Sequence, residues 1–71
     1  PSANQIKDNK TYIIVRLEES TIKEKLMEMG CTPGTPVRRL HSAPFGCPIT
    51  FDINGYQLAL RAEEASTLIL E

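Results

Sequence analysis

A chain of 71 residues has room for one domain, and at about 70–80 residues or fewer a single core supplies only a few kcal/mol. Apolar residues make up 41% and charged residues 24%, the balance of a globular chain and not of a disordered one. Eight basic against nine acidic residues give a net charge of −1, which removes the electrostatic footprint of a nucleic-acid binder and the polybasic signature of a membrane-surface module.

Pro1–Lys10 is polar and is read as a poorly ordered lead-in, leaving residues 11–71 as the domain. Thr11–Leu17 is rich in β-branched residues. Ile13, Val15 and Leu17 alternate with Ile14 and Arg16, which predicts a strand with one buried face. A short helix over Thr21–Met29 follows. Thr21 and Glu24 have capping-box spacing, Ile22, Leu26 and Met29 form one apolar stripe, and Gly30 sits where a left-handed cap belongs. Thr32-Pro33-Gly34-Thr35 has the chemistry of a type II turn. A second strand is expected near Pro36–Ser42, where the three-residue gap between Val37 and Leu40 calls for a bulge if both are to face inward.

Ala43-Pro44-Phe45-Gly46 reads as a loop, and Cys47–Asn54 as the next strand. Asn54-Gly55 is the sharpest local signal. A type I′ turn there sets Ile49 opposite Leu60, Phe51 opposite Leu58 and Ile53 opposite Tyr56, with all six on one apolar face. Ala62–Ser66 suggests a single helical turn, and Leu68-Ile69-Leu70 a last short strand. Five short strands are too few for a sandwich, and an open sheet would leave two bare edges. A small, partly open barrel plugged by the helix satisfies both constraints. The fold class is therefore mainly β.

Two thirds of the chain carries an ordered set of blocks. Leu26, Met29, Gly30, Pro33 and Gly34 come first, then Val37, then Ala43-Pro44, Gly46 and Pro48. Gly55, Leu60-Arg61 and Glu64-Ala65 complete it. This set resembles the ferrous iron transport protein A family, FeoA-like. The resemblance implies an SH3-like five-stranded barrel and a small cytosolic regulator that binds the cytoplasmic part of a FeoB-like membrane GTPase importing Fe(II). A related barrel forms the C-terminal domain of iron-dependent repressors, which makes a metal-binding or metal-sensing domain the alternative. The chain departs from the family at Cys47, usually Asp, at Cys31, usually aliphatic, and at Arg39, usually apolar.

Candidate sites are few. Cys31, His41 and Cys47 are the only soft metal ligands, and their spacing matches no zinc finger or ribbon. Both cysteines are read as reduced packing residues or spare thiols of a cytosolic protein, with no cofactor expected; a divalent metal held by Cys31, Cys47 or His41 is the alternative. Nucleophilic catalysis lacks a base beside a nucleophile, so no enzyme is expected. Arg38, Arg39 and His41 form a small basic stripe, which as a guarded strand edge needs no partner. Pro44 and Pro48 stiffen the loop that presents Phe45, which is either a low-entropy apolar anchor or a lid folded over the barrel mouth. The expected partner surface is Arg38, Arg39, His41, Pro44 and Phe45. Exposed strand edges also permit a homodimer. A severed module gripping proline-rich peptides is a third reading, weakened by 6% aromatic residues and no Trp.

Overall fold

The Asn54-Gly55 hairpin organises the sheet. A computed structural model, which describes residues 1–71, gives both turn residues positive φ (48° and 102°), as a type I′ turn requires, and Asp52 Oδ1 accepts the Gly55 N–H at 2.8 Å. The register is the expected one, from Ile49–Leu60 through Phe51–Leu58 to Ile53–Tyr56. Ile49, Phe51, Ile53 and Leu60 are buried and Leu58 packs against them. Tyr56 departs from the expectation: at the hairpin tip it is 45% exposed, its ring lying against Gly30.

Strands β1 (Thr11–Leu17), β2 (Pro36–Ser42), β3 (Ile49–Ile53), β4 (Tyr56–Leu60) and β5 (Leu68–Leu70) form one antiparallel sheet in the order β4-β3-β2-β1-β5. It is mainly β, as expected. The sheet curls around a core of 14 residues that includes Ile14, Leu26, Val37, Phe51 and Leu68. No helix is long and apolar enough to cross a membrane.

Two bulges shape this curl. The one foreseen in β2 falls between Arg39 and His41, with Val37 fully buried and Leu40 half-buried. The one in β1 corrects the reading of that strand. Its N-terminal half, to Ile13, pairs with β2 and its C-terminal half, from Ile14, with β5, and the register slips between Ile14 and Arg16 within the β5 pairing. The extra residue inverts the alternation. Ile14 and Leu17 therefore both point inward, while Ile13 and Val15 are 39% and 43% exposed.

The helix α1 is shorter than its apolar stripe, spanning Lys23–Glu28. The Thr21–Glu24 capping box does not form; Ser20 Oγ instead accepts the Ile22 N–H at 3.3 Å. At the other end Gly30 is left-handed (φ 99°). The Cys31 N–H bonds the Leu26 carbonyl at 3.0 Å and the Gly30 N–H bonds that of Met27 at 3.1 Å. This is a Schellman motif, whose associated apolar contact joins the residue after the glycine to the one five before it. Those residues are Cys31 and Leu26, and both are buried.

The first ten residues are the second correction. Ala3–Gln5 form a 3-10 turn, and Ala3 and Ile6 lie in the core. Ser2 bridges Ile69, the Leu70 N–H bonds the Pro1 carbonyl at 2.7 Å, and the Asn9 N–H bonds the Arg39 carbonyl at 2.7 Å. The physical reason is edge closure. β5 and the far half of β2 would otherwise be bare, and this segment lies along both while its two apolar side chains fill the gap between them. A second short helix, α2 (Ala62–Ala65), joins β4 to β5, with Glu64 accepting the Arg61 N–H at 2.8 Å.

Candidate partner-binding surface

The soft ligands do not gather. Cys31 is fully buried at the end of α1, where desolvation pushes its thiol from 9.0 up to about 11. A thiol held protonated is neither a good ligand nor a good nucleophile. Cys47 is exposed in the loop before β3, and His41 is exposed on β2. No three His, Cys, Asp or Glu side chains come together in a way that could hold a metal ion.

The basic stripe also separates into parts with different roles. Arg38 faces Asp52 across the β2–β3 ladder at 3.4 Å. Arg39 is committed inside the domain. Its Nε lies 2.9 Å from Asp8 Oδ1, and its other nitrogens donate to Ser42 Oγ at 2.5 Å and to the Ile6 carbonyl at 3.4 Å. This arginine thus fastens the N-terminal segment. Only His41 of this stripe is without a side-chain partner in the chain.

The loop between β2 and β3 is built to present one side chain. The Ala43 N–H bonds the Pro48 carbonyl and the Gly46 N–H bonds the Ala43 carbonyl, both at 2.9 Å, so the loop is closed at its neck and its tip. Pro44 fixes its entry, and the Cys47–Pro48 peptide is cis. Phe45 sits at φ 71°, in a region that bulky residues rarely occupy, and its side chain is fully exposed. It does not fold back over the barrel. A phenylalanine in water forgoes roughly 1.5–3 kcal/mol of burial energy that a covering partner would recover.

Two surface features were not foreseen. Ile13 and Val15 escape because the β1 bulge is set by its pairing with the distant β5; the one local hint is the unbroken apolar run Ile13-Ile14-Val15. A notch of about 360 Å³ opens at the hairpin tip between Pro36, Arg38, Asp52 and Asn54.

Comparison with known proteins agrees with this architecture. The family model described as the FeoA domain matches residues 2–71. An Fe(2+) transport protein A of Helicobacter pylori is 31% identical over 70 residues, spanning 96% of this chain and 90% of its own length. The solution structure of iron(II) transport protein A from Clostridium thermocellum superposes with a TM-score of 0.93 at 32% identity; the match covers all of this chain, which spans 44% of that longer one. At 20% identity, FeoA of Stenotrophomonas maltophilia, described as a procaryotic SH3 domain protein and solved with zinc, shares the fold with a TM-score of 0.88, covering 100% of this chain and 89% of its own. The chain therefore belongs to the FeoA family of small proteins associated with Fe(2+) transport, built on an SH3-like barrel.

Proposed function

We propose that this protein is a non-enzymatic cytosolic accessory of Fe(II) uptake that binds the cytoplasmic part of a FeoB-like membrane GTPase through the Phe45 loop. The observation that carries the reading is Phe45 itself, fully exposed at positive φ on a loop closed by two backbone hydrogen bonds. Strain held at an exposed apolar side chain fits a contact residue better than a packing one. Because the loop is stiff, little ordering entropy is lost on docking. Pro44 and His41 flank the anchor, with Arg38 further along β2 as a rim charge. Arg39 is withdrawn from the surface because its guanidinium is occupied by Asp8 and Ser42. The Cys31 thiol is buried and held protonated, and His41 makes no side-chain hydrogen bond. Iron in this reading is the cargo of the partner.

The test is binding of wild type and Phe45→Ala to the isolated GTPase domain of the cognate transporter. An anchor residue is worth about 2 kcal/mol or more, so the variant should bind at least about 30-fold more weakly while melting at the wild-type temperature. Equal affinities reject the loop assignment.

A further inference from the structure

We propose that the free edge of β4 is a self-association site, on which a second copy of this chain lays its own β4 antiparallel about a two-fold axis through Leu58. β4 stands at the end of the sheet and pairs only with β3. Opposed residues in an antiparallel ladder alternate between hydrogen-bonded and non-bonded pairs, and the pair closing a two-residue turn is bonded. Ile53–Tyr56, Phe51–Leu58 and Ile49–Leu60 are therefore the bonded pairs. The N–H and C=O groups of Gln57 and Ala59 point the other way, and both residues are exposed. They take part in none of the turn, loop or cap hydrogen bonds.

The rest of the barrel shows what a covered edge looks like. Pro1 and Ser2 lie along β5, and Asp8 and Asn9 along the far half of β2. β4 has no such cover. It also lacks the usual deterrents to pairing: Tyr56-Gln57-Leu58-Ala59-Leu60 contains no charge and no proline, and its ladder runs without a bulge.

A second copy fits this edge by symmetry. The axis through Leu58 sets Gln57 opposite Ala59 of the other copy, twice over. Those are the residues whose backbone groups face outward, so every free donor meets a free acceptor. Gln57 and Ala59 share the outer face, and a long side chain opposite a small one packs without conflict. The same register sets Arg61, which has no ion pair within its own chain, opposite Gly55 at the second copy's hairpin tip, where it adds a positive charge to the face on which Asp52 of the next strand is paired with Arg38. No like charges face each other along the paired β4 edges, since Tyr56–Leu60 carries none.

The experiment combines sedimentation equilibrium with amide hydrogen exchange over a concentration series. The wild-type mass should climb from one chain to two, and exchange at Gln57 and Ala59 should slow in step, by roughly tenfold or more. The double variant Gln57→Lys/Ala59→Lys alters only exposed side chains and should stay monomeric with its hairpin intact. Ala59→Pro removes one outward N–H and should do the same. A wild type that remains monomeric up to millimolar concentration overturns the proposal. So does a dimer that survives both lysines, or one in which the Gln57 and Ala59 amides stay unprotected. Protection that arises only when the GTPase domain is added would assign the edge to a foreign strand and overturn it equally.

Discussion

Replacing Ile6 by alanine separates a fastened N-terminal segment from a loose one. Ile6 is 4% exposed and belongs to the core, within a segment held by hydrogen bonds to β5 and β2 and by the Asp8–Arg39 pair. Truncating a buried isoleucine to alanine costs about 2–5 kcal/mol, the transfer term plus the cavity it leaves. A domain of this length has a total stability of roughly 4–11 kcal/mol. At the middle of both ranges, one side chain in a stretch that reads as polar lead-in carries roughly half of it. Urea unfolding followed by circular dichroism is the assay. With a slope near about 1 kcal/mol/M, the midpoint should fall by roughly 2 M or more. Lys7→Ala, at an exposed neighbour, should change stability by less than about 0.5 kcal/mol. If Ile6→Ala is as neutral as Lys7→Ala, the segment frays in solution and the argument for edge closure is wrong.

Gly30→Ala should cost about 1–2 kcal/mol for the left-handed backbone alone, and more because the new Cβ would stand 2.7 Å from the Tyr56 hydroxyl. In a Tyr56→Phe background the excess should shrink by some tenths of a kcal/mol, a coupling measurable by a double-mutant cycle; strict additivity would show that the two do not touch. A thiol reagent at pH 8 should label Cys47 alone in the native protein and both cysteines in denaturant, whereas rapid native labelling of Cys31 contradicts its burial. Between pH 9 and 11 the unfolded chain ionises Cys31 while the folded chain keeps it protonated, because burial has raised its pKa to about 11. The native state then binds more protons, so stability is full below pH 9 and falls as pH rises through this window. The fall in melting temperature should be smaller in Cys31→Ala than in wild type, and an equal fall would remove this thiol as the cause.

Where turn chemistry and apolar alternation both bear on the same residues, the sequence is read correctly. Asn54-Gly55 permits one register, and the residues on either side agree with it. Gly30 and the Pro33-Gly34 pair are legible for the same reason, since their backbone requirements are local. What escapes is set by distant neighbours. The phase of β1 depends on its bulged pairing with β5, so its exposed face is invisible in Thr11–Leu17 itself. The role of Pro1–Asn9 depends on edges created more than thirty residues later, and Ala3 and Ile6 are too sparse to announce a core segment. Arg39 looked like a surface cation because its partner Asp8 lies in that same segment. The Phe45 loop was legible as a stiff loop from its prolines and glycine. Only coordinates decide between an outward and a folded-back ring.

The contact between the Pro1 carbonyl and the Leu70 amide makes the sheet a seam stitched from segments far apart in sequence. The Ile49–Leu60 hairpin pairs near neighbours, whereas β1 meets β5, and Pro1 meets Leu70, only across most of the domain's sequence. The cover over Ala3 and Ile6 thus draws on β2 and on β5, and contacts of such long sequence separation carry a larger loop-closure cost than the hairpin does.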